Sequence, residues 1–166
     1  GRFLRGSTFY EDFAKTVCTI QISWAGTKRM VGGLVNNIGT GVFPTPSEVL
    51  QAGESILRSA VGMGFRSPQL ISATEQLISL GMMDQQGEGV ENIITKDALG
   101  NLPGIGPYST NHIRMLLHDY SQIPIDSAVT SSFRENYGVE PEEIETLFER
   151  WGSYKFLGYK LSNPQK

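Results

Sequence analysis

A chain of 166 residues, 39% hydrophobic and 19% charged, is long enough to bury a core and too short for more than one or two domains. Its single cysteine, Cys18, excludes an internal disulfide, a four-cysteine metal site and an iron–sulfur cluster, and no apolar run approaches the roughly 20 residues of a membrane span. A net charge of −3 and a pI near 5.4 argue against binding nucleic acid by bulk electrostatics, so any such binding has to be local, through backbone N–H groups at helix starts.

In chain order, Phe9, Phe13, Val17 and Ile20 fall on one helical stripe, and Trp24, Val31, Leu34, Val35 and Ile38 on a second. The start Gly1-Arg2-Phe3-Leu4-Arg5 lacks the apolar core of a secretory signal, and Cys18 sits in the apolar stretch Thr16 to Ile20. Both features predict an intracellular protein with a reduced core thiol. The chain opens in mid-pattern without an initiator methionine, which predicts a piece of something longer. Gly39 to Pro44 reads as a loop, and Thr45-Pro46-Ser47-Glu48 supplies an N-cap, a proline at N1 and a glutamate at N3 for a third helix. Gly53 to Ala60 is a short helical candidate and Val61 to Ser67 a glycine-containing turn. Leu70, Ala73, Leu77 and Ile78 mark another amphipathic helix, and Gln85 to Gly89 form the break after it. Strand patterns are almost absent, so the expected fold is all-α.

Between two apolar helical patterns, over about 90–118, lies Leu99-Gly100-Asn101-Leu102-Pro103-Gly104-Ile105-Gly106-Pro107-Tyr108. Gly104 and Gly106 can take φ > 0 and approach a phosphate closely, Leu102 and Ile105 can pack the two helices together, and Pro107 at N1 starts a helix whose positive end meets the same anion. An ordinary helix-to-helix turn is the competing reading. Downstream, Ile113, Leu116 and Leu117 form a stripe, while Tyr108 and His112 are an i, i+4 pair able to line one cleft or simply to pack. The extended segment Ser121 to Val129 then ends in Asp126, an excellent N-cap. Capping does not exclude catalysis, because a carboxylate beside a bound nucleotide can stabilise the cation left when an N-glycosidic bond breaks, or orient water at the anomeric carbon. Finally, Pro141-Glu142-Glu143 opens a helix with Ile144, Leu147, Phe148 and Trp151 expected on its buried face.

These residues resemble the helix-hairpin-helix (HhH-GPD) superfamily of DNA glycosylases, including those for 3-methyladenine and 8-oxoguanine. The specific part is L-P-G-I-G with I-P-I-D-S. Supporting matches are F-Y-E-D-F-A-K-T-V, Q-I-S-W at Gln21 to Trp24, F-P-T-P at Phe43 to Pro46 and W-G-S-Y at Trp151 to Tyr154. The resemblance implies a multi-helix domain of two helical subdomains flanking a cleft, cut from a chain that in several relatives carries an N-terminal β-rich domain. It implies that a damaged base in double-stranded DNA is flipped into the cleft and that Asp126 is the catalytic carboxylate.

Members that also nick the strand carry a lysine two residues after the last hairpin glycine. Tyr108 stands there in this chain, which implies a monofunctional glycosylase, with an alkylated purine ahead of 8-oxoguanine as substrate. The resemblance further places Gln21, Trp24 and Tyr159 with Tyr108 and His112 around the base, with Tyr154 approaching. It places Gly104, Gly106, Tyr108 and Ser127 on DNA phosphate. For Trp24, core packing is an equal reading. The carbonyls of Gly100, Leu102 and Ile105 would hold K+ or Na+; no other cofactor is required, and a monomer without membrane association is expected. The competing functions are a non-catalytic helix-hairpin-helix DNA-binding module, in which Asp126 only caps its helix, and a helical protein-interaction domain.

Overall fold

The computed structural model describes residues 4–162, so Gly1 to Phe3, on which part of the signal-peptide expectation falls, lie outside the described residues. The described residues are helical throughout. The one β-pairing among them is an isolated antiparallel bridge between Met83 and Gly89. The chain forms two compact units, Gly1–Ile105 and Gly106–Lys166.

In the first unit, α1 (Phe9–Cys18) starts at Thr8, whose hydroxyl accepts from the Glu11 N–H at 3.2 Å. The sequence predicts one buried stripe, but α1 is buried on nearly every face, including Tyr10, Asp12 and Thr16. That is possible because its polar groups are paired. The Tyr10 hydroxyl lies 3.0 Å from Thr74 Oγ1, and Thr16 Oγ1 donates to the Asp12 carbonyl at 2.8 Å. Cys18 ends the helix as a buried free thiol, pushed up to about 12 by burial.

Helix α2 (Trp24–Asn37) is capped by Ser23 and buries Gly26, Thr27, Met30 and Leu34. Trp24 is not on that face: it lies two residues before Gly26, about 200° round the helix, and is 70% exposed. The core-packing reading of Trp24 is therefore overturned. At the start of α3 (Pro46–Ile56) the expected box forms, with the Glu48 N–H donating to Thr45 Oγ1 (3.3 Å) and the Thr45 N–H to Glu48 Oε2 (2.7 Å). No separate helix starts at Gly53. Instead α3 kinks there, at φ 73°, and runs into a single π-helical turn, Leu57–Val61. Helix α4 (Arg66–Ser79) packs Leu70, Ala73 and Leu77 inward as its spacing predicts. After it the loop folds on Asp84 Oδ1, which accepts from the N–H groups of Gln86 and Glu88 at 2.9 Å each. The short α5 (Lys96–Gly100), capped by Thr95, closes the unit.

The second unit comprises α6 (Pro107–Leu116), α7 (Ser127–Tyr137), α8 (Pro141–Ile144), a 3₁₀ segment (Thr146–Tyr154) and α9 (Lys155–Ser162). Its core is largely aromatic: Phe133, Phe148, Phe156 and Tyr159 pack with Met115, Ile123 and Ile144. The expected single face of Ile144, Leu147, Phe148 and Trp151 does not form. Ile144 and Phe148 are buried, whereas Leu147 and Trp151 are exposed. The reason is that α8 has only four residues, and the segment after it turns with about three residues per turn and breaks at Gly152 (φ 53°, ψ −125°), so a 3.6-residue stripe is not continued.

Candidate active site

The first half of the hairpin ends at Ile105. Leu102 and Ile105 are buried, and the Ile105 N–H donates to the Leu102 carbonyl at 3.1 Å, closing a tight turn around Gly104. Gly104 needs to be glycine on two counts. Its φ is +75°, and a Cβ there would stand 2.6 Å from the side-chain amide of Gln69 on α4. Gly106 is different. Its φ of −98° and ψ of −179° are ordinary extended backbone, and a Cβ would meet nothing within 4 Å, so the expected freedom at φ > 0 is used at Gly104 alone.

Among the described residues no hydrogen bond is made to the carbonyls of Gly100 and Ile105, while that of Leu102 accepts one from Ile105. Neutral carbonyl oxygens with spare lone pairs are the donor type that suits a monovalent cation, so these residues fit K+ or Na+.

Gly106 is the N-cap of α6 and offers no capping side chain, and Pro107 at N1 has no N–H. Asp126 caps α7 in the contrasting way, with Oδ1 accepting from the Val129 N–H at 2.8 Å. The segment before it is anchored from two sides. Asn111 Nδ2 donates to the Ile123 carbonyl at 3.4 Å, and the Ile123 N–H donates to Glu145 Oε1 at 3.0 Å. With Ile123 and Pro124 buried, the approach to Asp126 is fixed. Oδ2 of Asp126 makes no hydrogen bond to a described residue, which leaves that carboxylate oxygen for a ligand.

The pair on α6 is assembled as the spacing predicts. The rings of Tyr108 and His112 stack with centroids 5.7 Å apart and planes 23° from parallel. Burial, then the negative charge of Asp126, raises the Tyr108 phenol, so it stays a protonated donor. Burial, then the ammonium of Lys160, lowers His112, with Asp126 opposing, so the imidazole is neutral near pH 7 and has one donor and one acceptor nitrogen. Tyr108, His112, Asp126 and Lys160 are thus within electrostatic reach of one another, all inside the second unit. The arrangement can stack a flat ring, offer it neutral hydrogen-bonding groups and hold a carboxylate beside its sugar.

Lys160, on α9, is the member that sequence reasoning missed. Its Nζ lies 5.3 Å from the Tyr159 ring centroid and 5.9 Å from that of Phe156. No local pattern marks it, because it meets α6 only through the fold. Tyr159 is buried in the aromatic core and Tyr154 is exposed. Ser127, first residue of α7, is exposed. Gln21 and Trp24 belong to the first unit, both exposed, on the turn into α2. Among the described residues no helix is long and apolar enough to cross a membrane, and no cluster of three or more His, Cys, Asp or Glu side chains is placed to hold a metal.

No family model matches the chain, and no curated protein matches it. Solved structures do. The 8-oxoguanine glycosylase/lyase of Clostridium acetobutylicum, in complex with double-stranded DNA containing cytosine opposite 8-oxoguanine, superposes with a TM-score of 0.76 and 19% identity, covering 94% of this chain and 58% of that one. A 3-methyladenine DNA glycosylase of Schizosaccharomyces pombe, in complex with abasic DNA, gives 0.69 and 18%, covering 100% and 90%. The 3-methyladenine DNA glycosylase of Archaeoglobus fulgidus gives 0.66 and 18%, covering 99% and 62%. The chain thus spans 58% of the clostridial enzyme's length. At these identities the likeness is one of fold: the chain has the all-α fold of the helix-hairpin-helix DNA glycosylases.

Proposed function

We propose that the chain is an intracellular base-excision-repair DNA glycosylase, monomeric and monofunctional, which hydrolyses the N-glycosidic bond of a flipped, damaged purine in double-stranded DNA. The observation that carries this reading is the charge of Asp126 acting on the Tyr108 and His112 pair within one compact unit that begins at the end of a glycine hairpin. The shared fold supports it.

The division of labour rests on the groups present. Tyr108 and His112 stack on the extruded base, and the electron-rich tyrosine face favours a cationic, alkylated purine over 8-oxoguanine. Asp126, with Oδ2 uncommitted, stabilises the positive charge that develops on the sugar or directs water to the anomeric carbon. Gly104, Gly106, Tyr108 and Ser127 contact phosphate. The carbonyls of Gly100, Leu102 and Ile105 would hold K+ or Na+, which supplies positive charge against that phosphate. By the family pattern the lyase nucleophile would stand at Tyr108, and a phenol held protonated by burial is no substitute for an amine.

The test is a labelled duplex containing 3-methyladenine or 8-oxoguanine, treated with protein and then with alkali. Base release that disappears in Asp126→Asn supports the enzyme, and borohydride should trap no protein–DNA adduct; a trapped species overturns monofunctionality. One observation favours a second reading, a non-catalytic DNA-binding module: Asp126 does cap α7. Salt-sensitive binding without base release would select it.

A further inference from the structure

The first unit contains a buried charge that the proposed chemistry does not use. Arg66, at the start of α4, is 4% exposed, and no described carboxylate pairs with it. Its guanidinium is spent on main-chain oxygens instead. Nε donates to the Ile20 carbonyl at 2.9 Å, Nη2 to the carbonyls of Ile20 and, at 3.1 Å, of Gln21, and Nη1 to that of Met63 at 3.3 Å. The same group lies over the Phe65 ring, 4.3 Å from its centroid. Burying a cation without a counter-ion is expensive, and the structure does so to grip one turn. That turn needs gripping, because Gln21 has φ +47°, a left-handed conformation disfavoured for a residue with a side chain.

What the turn carries is exposed and apolar: Ile22 and Trp24, with Phe65 on the other side of the guanidinium. Lys28 and Arg29, also exposed, come next on α2. Apolar groups to set against unstacked bases, next to cations for phosphate, suit a duplex disturbed at a lesion. We propose that Arg66 is a positioning residue, fixing the Gln21 turn and the Phe65 ring as one preorganised edge that meets damaged DNA. The proposal rests on the DNA-glycosylase reading.

The experiment compares wild type, Arg66→Lys, Arg66→Met and Gln21→Gly by three measurements: amide exchange over residues 20–26, affinity for an abasic-site duplex and for its undamaged counterpart, and base release at saturating protein. Arg66→Lys keeps the charge and loses the planar fork, so exchange in the turn should rise about tenfold. Abasic-site affinity should fall about tenfold, while undamaged-duplex affinity and the saturated release rate stay within about twofold. A merely structural arginine would lower the melting temperature without that selective loss. Once Gln21→Gly has removed the strain, adding Arg66→Lys should cost less than about threefold more. Should the Arg66 variants not fold, Gln21→Gly alone still loosens the turn, and an unchanged abasic-site affinity there overturns the proposal. So does unchanged exchange in Arg66→Lys, or an equal loss for both duplexes. If wild type binds abasic DNA without releasing base, the enzyme reading falls and the positioning role is still decided by affinity; if it binds neither duplex, both fall.

Discussion

Helices α6 and α7 begin in opposite ways. The first starts at Gly106 and Pro107, with no side chain turned back on its N-terminal donors, and the second starts at Asp126, which takes the Val129 N–H for itself. A bare start leaves positive partial charge for an outside anion, whereas a capped start brings its own negative group and holds it in place. The chain uses one to attract the backbone of a nucleic acid and the other to display a carboxylate against a developing cation. The two devices are built from the same unpaired N–H groups, about four of them, that every helix start possesses.

The largest effect that would break this contrast is expected at Asp126. Asparagine caps a helix about as well as aspartate, so Asp126→Asn should leave the melting temperature nearly unchanged while base release falls by about 10²- to 10³-fold. Full activity in that variant would reduce the start of α7 to a cap. Next comes the turn before α6. In Gly104→Ala the left-handed backbone costs about 1–2 kcal/mol and the added methyl meets the Gln69 amide, so thermal stability should drop and DNA affinity fall about tenfold. Gly106→Ala has extended backbone and open space, and should cost under about 0.5 kcal/mol. Equal losses at the two glycines would show that close approach at Gly106, not backbone conformation, governs the hairpin.

Removing the α7 cap altogether, in Asp126→Ala, should cost about 1 kcal/mol in denaturant unfolding beyond Asp126→Asn. The smallest effect is one of pH. His112 is held below its ordinary value in the folded state, so its contribution to stability is present above about pH 6.5 and is lost as pH falls from there through the folded value, because the unfolded chain then binds the extra proton. His112→Gln should flatten the melting temperature over that interval. If the profile is unchanged, burial and Lys160 do not perturb the imidazole as described.

What the sequence disclosed was what chemistry settles within a few residues. The Thr45–Glu48 box, Pro107 at N1, the Asp126 cap and the Tyr108–His112 spacing are all local, and all form. Misreadings arose where the deciding neighbour is distant or the period changes. An exposed Trp24 has the same letter as a buried one, and only the packing of Gly26, Met30 and Leu34 shows which face of α2 is turned inward. Leu147 and Trp151 fit an α-helical stripe that the 3₁₀ segment does not continue. Two glycines in the hairpin look alike, yet Gly104 is demanded by Gln69, from another helix. Lys160 reaches the imidazole of His112 across the fold and not along the chain. The carboxylate of the candidate site was therefore legible, and its electrostatic setting was not.

The thiol of Cys18 has a practical consequence. Buried at the end of α1 and pushed up to about 12, it presents almost no thiolate to solvent at neutral pH, and thiolate is the form that maleimides and iodoacetamides attack. A cysteine introduced at an exposed position such as Ser127 or Trp24 would then be the preferred point of attachment for a fluorophore or a crosslinker, without first deleting the native one.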